Sequence, residues 1–213
     1  MRHRLILFDL DGTLLDHFAA LHRCHAYAMR QLGLLEPTPE QVRRAVGGGL
    51  NEAIARLAGA ERVTALLPHF LAHWEATNLD DVSVLPGGLE LLRAVAAAGG
   101  RNAVLTNKRG PSAREVCAHL GLTPWLASIT GAGDTPWLKP EPKLTRQVLA
   151  DLGATAAEAC YIGDSPFDVA TARQAGLAFY GVTTGTHDAA QLRAAGAEHI
   201  FPGLPGVQAA LGS

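Results

Sequence analysis

Short apolar runs alternate with helical patterns along most of the chain. The first run, Leu5 to Phe8, has the length of a buried strand and ends at acidic residues and a glycine. From residue 85 onward, further apolar runs are separated by amphipathic segments that glycines close. Strands are predicted at residues 103–106, 127–130, 160–162, 178–182 and 199–201, and helices at 89–98, 112–120, 143–152, 168–175, 189–195 and 207–211. This order predicts an α/β fold built on a parallel sheet.

The segment between the first strand and residue 85 has a different, helical pattern. Apolar residues recur at helical intervals across residues 18–32, and Gly33 ends that pattern. Thr38 has the capping pattern of a second helix, and a further helix is expected over residues 61–77. A helical block of this size after the first strand predicts a separate cap domain. The predicted cap covers residues 16–83, and the predicted core covers residues 1–15 and 84–213.

The composition limits the classes of function. The 18 basic and 20 acidic residues leave a formal charge of -2, and no long basic cluster indicates nucleic acid or an anionic membrane as a partner. The three cysteines, Cys24, Cys117 and Cys160, form no C-x-x-C pair. The apolar stretch near the N-terminus is too short for a signal peptide or a membrane span. We therefore expect a cytoplasmic protein. Most of the nine histidines are assigned to surface or helix positions.

Two carboxylates follow the first strand directly. Asp9 and Asp11 alternate along an extended segment, so both side chains can lie on one face. Two such charges repel each other, and a hard cation such as Mg²⁺ removes that repulsion because it prefers oxygen ligands. The competing interpretation is a plain turn at Asp11-Gly12, with Asp9 as a helix N-cap.

Three further polar clusters lie at ends of predicted strands or in the loop before a helix. They are Thr106-Asn107-Lys108, Lys139-Pro140 and the segment from Gly163 to Asp168. Because the carboxyl ends of parallel strands share one edge of a sheet, we expect these residues to meet Asp9. The combined set of carboxylates, lysine and hydroxyl favours a ligand site over a plain turn.

Such a set fits the hydrolysis of a phosphate monoester, which needs neutralised oxygens, an in-line nucleophile and a protonated leaving group. Asp9 is ionised at neutral pH and can attack phosphorus to give an aspartyl-phosphate. Asp11 can give a proton to the departing alkoxide and later take one from water. Asp164 and Asp9 can hold Mg²⁺ against the phosphate. Lys139 supplies positive charge, and Thr106 can hydrogen-bond the oxygens that gain charge.

The order of these residues resembles the four motifs of the haloacid dehalogenase-like superfamily, in its Mg²⁺-dependent phosphatase branch. Asp9-Leu10-Asp11-Gly12-Thr13 is similar to motif one, Thr106 to motif two, Lys139-Pro140 to motif three, and Gly163-Asp164 with Asp168 to motif four. The resemblance implies a Rossmann-like α/β/α core, an inserted helical cap, Asp9 as nucleophile and Asp11 as acid and base. It also implies Mg²⁺ held by Asp9, Asp164 and the Asp11 carbonyl oxygen. Asp168 either reaches the metal or caps a helix and orients Lys139.

Two other reactions of the superfamily are disfavoured. Members that expel halide lack an acid at the position of Asp11, because their leaving group needs no proton. Members that cleave a carbon-phosphorus bond use a cap lysine, and residues 17–81 contain no lysine. We therefore expect a phosphatase whose partner is a small phosphorylated metabolite, acting as a monomer or weak homodimer without a nucleic acid or membrane partner.

Two segments look like those of phosphoglycolate phosphatase-like members: Thr106-Asn107-Lys108 and the turn Val46-Gly47-Gly48-Gly49-Leu50. The residues expected to bind phosphate or substrate are Gly12, Thr106, Asn107, Lys139, Arg43 and Gly48. Arg43 and Arg44 could contact a substrate carboxylate or a second phosphate, or they could form a solvated helix face. The Gly-x-Ser-Arg segment of the sugar phosphomutases is not reproduced at residues 47–51. A phosphomutase and a non-catalytic binding module that retains the fold are the alternative functions.

Overall fold

Six parallel strands form the centre of the computed structural model, which describes residues 3–212. The eight strands of these residues are β1 (Leu5–Phe8), β2 (Leu15–Asp16), β3 (Ser83–Val84), β4 (Arg101–Arg109), β5 (Leu126–Ala132), β6 (Ala159–Gly163), β7 (Ala178–Val182) and β8 (His199–Phe201). Strands β2 and β3 form a separate two-stranded sheet, and the other six form the central one. The sheet order is β5-β4-β1-β6-β7-β8, and every neighbouring pair is parallel. The predicted α/β fold with a parallel sheet is confirmed.

Helices cover both faces of this sheet and fill the segment between β2 and β3. They are α1 (Phe18–Gln31), α2 (Pro39–Ala45), α3 (Leu50–Ala58), α4 (Val63–Thr77), α5 (Gly88–Ala97), α6 (Gly110–His119), α7 (Pro142–Asp151), α8 (Pro166–Ala175), α9 (Ala189–Ala194) and α10 (Leu204–Gly212). The sequence pattern predicted all of these elements except α3, which follows the glycine turn. Within residues 3–212, no helix is both long and apolar enough to cross a membrane.

The core consists of two apolar clusters, one on each face of the sheet. All four residues of β1 are fully buried, because alternate side chains enter opposite clusters. Ile6 and Phe8 pack with residues of α5, α6 and α10. Leu5 and Leu7 pack with residues of α7 and α8. This three-layer arrangement holds the end of β1 rigidly in the middle of the sheet.

Helices α1 to α4, residues 18–77, form a helical block with its own apolar cluster. Leu21, Ile54, Phe70 and Trp74 are among its buried members. The chain leaves and re-enters the sheet through the antiparallel pair of β2 and β3, where Leu15 pairs with Val84. The predicted boundaries between cap and core fall on this pair. The division into two domains stays a prediction.

The strand order creates a crevice at one edge of the sheet. The chain proceeds from β1 to β4 on one side, whereas β6 leads to β7 on the other side. Connections that diverge from neighbouring strands leave a gap above their carboxyl ends, which is where ligands bind in open α/β sheets. Asp9 directly follows β1, and Asp164 directly follows β6.

Removal of a side chain from the core should destabilise the protein far more than the same change on its surface. Leu7 is fully buried and Leu35 is 90% exposed. We expect Leu7→Ala to lower the free energy of unfolding by about 2–5 kcal/mol, because it leaves a cavity under the sheet. The matched change Leu35→Ala should alter it by less than about 0.5 kcal/mol. Denaturant unfolding measures both values, and equal values would contradict the assignment of Leu7 to the core.

Candidate active site

Three buried carboxylates meet at the crevice above the sheet. Asp9 comes from the end of β1, Asp164 from the end of β6, and Asp168 from the first turn of α8. One carboxylate oxygen of each residue lies within 4.8 Å of the others. The convergence expected from the shared edge of parallel strands is therefore present.

Lys139 provides the positive charge beside these carboxylates. Its Nζ donates hydrogen bonds to Asp168 Oδ1 at 2.7 Å and to the Tyr161 hydroxyl at 3.0 Å. The same Nζ lies 3.0 Å from Asp9 Oδ1 as an ion pair. Burial alone would lower the pKa of Lys139, but the charges of Asp168 and Asp9 raise it well above its ordinary value. Lys139 is therefore a fixed cation.

Three hydrogen-bond donors hold the carboxylate of Asp164. Thr13 Oγ1 donates to Oδ1 at 3.0 Å, while the backbone N–H and the hydroxyl of Thr186 donate to Oδ2 at 2.7 and 2.8 Å. Burial, followed by the charges of Asp168 and Asp9, raises the pKa of Asp164 to about 7. This carboxylate is fixed in position but incompletely compensated in charge.

Asp9 has the same imbalance. Burial raises its pKa to about 6, although the charge of Lys139 acts in the opposite direction. Its Oδ1 is buried and receives no hydrogen bond from residues 3–212, although Lys139 Nζ lies 3.0 Å away. The Asp9 carboxylate is therefore held beside the cation by charge and not by a hydrogen bond at Oδ1.

Asp168 uses both of its oxygens within the protein. Oδ1 accepts from Lys139, and Oδ2 accepts from the backbone N–H of Asp164 and from the N–H and hydroxyl of Ser165. Ser165 in turn caps α8 through the backbone N–H of Asp168. Of the two roles considered for Asp168, this geometry favours the helix cap that orients Lys139.

Asp11 lies in a second ionic group on the side of the helical block. Lys108 Nζ donates to both carboxylate oxygens at 3.1 and 3.0 Å, and His17 Nδ1 lies 3.5 Å from Oδ1. Burial alone would raise the pKa of Asp11, but Lys108 and His17 together lower it below its usual range. Asp11 is therefore ionised in this arrangement.

The Thr106-Asn107 segment connects the site to its surroundings. Thr106 is buried and its hydroxyl accepts from the backbone N–H of Lys108. Asn107 Oδ1 accepts from the backbone N–H of Lys139 at 2.8 Å, and Nδ2 donates to the carbonyl oxygens of Lys139 and Gly47. The Asn107 side chain thus holds the Lys139 loop and a turn of the helical block, which leaves it no free donor for a ligand.

Gly12 has a structural requirement for glycine. Its φ is +86°, and a Cβ there would lie 2.6 Å from Gly185 Cα and 2.9 Å from Asp164 Oδ2. Its backbone N–H donates to the Leu15 carbonyl oxygen. Gly12 therefore permits the tight turn after Asp11, while its own amide is already bonded.

Two predicted substrate-binding residues lie apart from the carboxylates. Arg43 donates to the carbonyl oxygens of Thr184 and Gly185, and its guanidinium stacks 3.9 Å above the Phe18 ring. Gly48 is buried against the Glu52 side chain. The expected contact of Arg43 and Gly48 with substrate gains no support from this geometry, because Arg43 is engaged in docking the helical block and only the flanking glycines face the crevice.

A cavity of about 630 Å³, including its part open to solvent, lies between the carboxylates and the helical block. Its floor includes Asp9, Asp11 and Thr106, and its wall is formed by side chains of the helical block. Trp74 closes one side, where its Nε1 donates to Ser112 Oγ at 3.1 Å. A ligand whose reacting group sits at Asp9 would therefore place its remainder against the helical block.

Comparison with known proteins identifies the family that has this arrangement. A profile described as haloacid dehalogenase-like hydrolase matches residues 6–182. The chain belongs to the haloacid dehalogenase-like hydrolase family. The resemblance inferred from Asp9, Thr106, Lys139 and Asp164 is thereby confirmed, and so is the expected hydrolase class.

Relatives of this haloacid dehalogenase-like hydrolase have different names. Phosphoglycolate phosphatase from Rhodospirillum rubrum is 36% identical over 185 residues, covering 82% of this chain and 77% of the relative. A 5'-nucleotidase from Pseudomonas aeruginosa is 29% identical over 215 residues, covering 100% and 97%. A solved haloacid dehalogenase-like family hydrolase from Streptococcus pneumoniae, 22% identical, superimposes with a TM-score of 0.89 over 99% of both chains, which confirms the Rossmann-like fold.

The three buried carboxylates of this hydrolase, Asp9, Asp164 and Asp168, fit the Mg²⁺ that the sequence implied. Three buried acidic side chains share one cationic partner, Lys139, so the group has an excess of negative charge. Burial, together with the charges of neighbouring carboxylates, raises the pKa values of Asp9 and Asp164 in the same way. Carboxylate oxygens are the ligands that Mg²⁺ prefers, and Asp9 Oδ1 receives no hydrogen bond from the described part of the chain, residues 3–212. Asp9 and Asp164 would hold the ion.

Several residues of the site carried no sequence signal. Thr186 positions Asp164 from the loop after β7, and Tyr161 positions Lys139 from inside β6. His17 contacts Asp11 and also bonds the Asn78 carbonyl oxygen at 2.5 Å. His17 is fully buried and is the N-cap residue of α1. A hydroxyl or imidazole has no distinguishing spacing, so packing alone reveals these contacts.

Mg²⁺ should stabilise the protein more at high pH than at low pH. The pKa values of Asp9 and Asp164 rise on folding from 3.8 to about 6 and about 7. Between pH 3.8 and about pH 7 the folded protein without metal binds more protons than the unfolded chain. The two groups therefore lower the free energy of unfolding progressively as the pH rises through this range. Above it the two carboxylates are ionised and ready for the cation.

Thermal unfolding with and without MgCl₂ measures this effect. We expect a larger increase in Tm at about pH 8 than at about pH 5, because protons compete with the ion for the same oxygens. Asp164→Asn should reduce the increase at the higher pH. An increase that is equal at both pH values and survives Asp164→Asn would contradict binding at this group.

Proposed function

We propose that this protein is a Mg²⁺-dependent phosphatase that hydrolyses a small phosphate monoester through an aspartyl-phosphate on Asp9. The observation that carries the proposal is the position of the Asp9 carboxylate. It lies at the floor of the cavity, 3.0 Å from Lys139 Nζ, with Asp164 on one side and Asp11 at the other end of the same turn. A nucleophile, a cation, a metal site and a proton carrier thus surround one small volume.

In the first step an Asp9 oxygen attacks phosphorus as the bond to the ester oxygen breaks. The departing alkoxide takes a proton from Asp11, which leaves the phosphoryl group on Asp9. Mg²⁺ bound by Asp9 and Asp164 would offset the negative charge of the phosphate oxygens. Lys139 and the Thr106 hydroxyl stabilise the oxygens that gain charge, and both groups are preorganised by burial and hydrogen bonds.

In the second step water attacks the phosphoryl group and gives its proton to Asp11, which releases phosphate and restores Asp9. Asp11 is ionised in the structure and is therefore ready to act as this base. The first step needs a protonated Asp11. Withdrawal of Lys108 would favour protonation, because burial alone raises the pKa of this carboxyl. Lys108 is accordingly proposed to control the proton on Asp11.

Phosphoglycolate and other small phosphorylated metabolites are the first substrates to test. The relative from Rhodospirillum rubrum is named phosphoglycolate phosphatase and the relative from Pseudomonas aeruginosa is named 5'-nucleotidase. Both names describe hydrolysis of a phosphate monoester, but they differ in the leaving group. The shared reaction is therefore better supported for this chain than either substrate.

Substitution of Asp9 tests the reaction directly. We expect Mg²⁺-dependent release of phosphate from 4-nitrophenyl phosphate, with loss of activity in the presence of chelator. Asp9→Asn should reduce turnover to background, because an amide is too weak a nucleophile to form the intermediate. Asp151→Asn, an exposed change of the same kind, should keep full activity.

Three outcomes would contradict this proposal. Full activity of Asp9→Asn would exclude Asp9 as the nucleophile. No Mg²⁺-dependent release of phosphate from any ester would favour a non-catalytic binding module. Conversion of a sugar phosphate into its isomer, with little free phosphate, would favour a phosphomutase.

Substitution of Asp11 separates the two proton transfers. With benzyl phosphate, whose alkoxide must be protonated, we expect Asp11→Asn to lower kcat by about 10²–10⁴-fold. With 4-nitrophenyl phosphate the leaving group needs no proton, so one equivalent of nitrophenolate should appear rapidly before slow turnover. Stopped-flow absorbance measures that burst. Equal losses on both esters without a burst would contradict the role of Asp11 as acid in the first step.

A further inference from the structure

The part of the cavity that lies beyond Asp9 is apolar. Its wall comes from α1, the glycine turn, α3 and α4 of the helical block. The apolar side chains that line it are Leu21, Val46, Leu50, Phe70, Leu71 and Trp74. In the reaction proposed above, the phosphoryl group lies at Asp9 and the leaving group lies against this wall.

The cations around the cavity are already committed to other charges. Lys108 is paired with Asp11, and Lys139 is paired with Asp9 and Asp168. Arg43 donates to the main-chain oxygens of Thr184 and Gly185 and does not line the cavity. Among the described lining residues this leaves Arg109, which is exposed to solvent. A leaving group with its own carboxylate would gain a buried cation only by drawing Lys108 away from Asp11, and elsewhere it would lose water against apolar side chains, which is unfavourable.

One polar side chain interrupts the apolar wall. His25, on α1, is 2% exposed and lines the cavity next to Phe70, with ring centroids 4.6 Å apart. Its Nε2 is buried and has no hydrogen-bond partner within residues 3–212. Burial lowers the pKa of His25 to about 4, so the imidazole is neutral. Nε2 exposes almost no surface, and His25 also borders a second, smaller cavity with Ile54 and Leu66, so the imidazole adds a neutral, buried group to the wall.

We propose that the preferred substrate is a monoester whose leaving group is apolar, either aromatic or branched aliphatic. This inference rests on the proposed function, because it concerns the leaving group of the ester cleaved at Asp9. It differs from phosphoglycolate, whose leaving group is small and anionic. An apolar leaving group gains from burial against the wall.

A series of alkyl phosphates tests the inference without differences in leaving-group chemistry. Benzyl phosphate, ethyl phosphate and phosphoglycolate all release an alkoxide, so proton transfer is needed for each. We expect kcat/KM for benzyl phosphate to exceed both other values by at least about tenfold, since apolar contacts discriminate on this scale. Equal values, or a preference for phosphoglycolate, would overturn the inference and leave the phosphatase function intact.

A matched pair of variants locates the preference on the wall. Leu71 lines the cavity, whereas Leu67 lies one turn earlier on α4, is half-buried and does not line it. Leu71→Gln should lower kcat/KM for benzyl phosphate severalfold and leave that for ethyl phosphate nearly unchanged. Leu67→Gln should alter kcat/KM for neither ester. The same loss in both variants would indicate a general effect on folding and contradict recognition by the wall.

Failure of the inference and failure of the proposed function give different results. Turnover of ethyl phosphate and phosphoglycolate that equals turnover of benzyl phosphate rejects the apolar preference alone. If no ester shows Mg²⁺-dependent turnover, or if Asp9→Asn retains full activity, the proposed phosphatase function is rejected and the inference is rejected with it. Circular dichroism and Tm confirm that each variant is folded before its kinetics are compared.

Discussion

The placement of one buried ammonium group determines the geometry of the whole site. Lys139 Nζ contacts Asp9 after β1, Tyr161 in β6 and Asp168 at the start of α8. Buried carboxylates are costly without a nearby cation, so these elements are stable together only when the ammonium lies between them. The Lys139 backbone is fixed in turn by Asn107. Sheet, helix α8 and loop are thereby brought to a single arrangement, and an excess of negative charge is left for a metal to neutralise.

A second ionic group connects the chemistry to the helical block. Lys108 holds Asp11 and also lies 4.5 Å above the Trp74 ring, while His17 joins Asp11 to the Asn78 carbonyl oxygen. The charge on Asp11 thus depends on contacts from the sheet and from the segment that precedes α1. The charge on Asp11 and the position of the helical block above the cavity depend on the same set of contacts.

The sequence predicted the fold and the floor of the site because both follow simple rules of spacing. Apolar runs and glycine stops located the strands, and the shared edge of parallel strands brought Asp9, Thr106, Lys139 and Asp164 together. Helix α3 was missed, since it begins in a glycine turn without a capping signal. The burial of His25 and the docking role of Arg43 depend on how helices pack against each other, and no local pattern encodes that. The apolar lining of the cavity was accordingly the part that required the structure.

Two contacts that hold the helical block to the sheet end on main-chain oxygens. Asn107 donates to the carbonyl oxygen of Gly47, and Arg43 donates to that of Gly185. A carbonyl oxygen is present whatever side chain a residue carries, so these contacts tolerate change in the neighbouring residues of the wall. The residues that line the cavity can therefore change one at a time during evolution while the helical block keeps its position on the sheet.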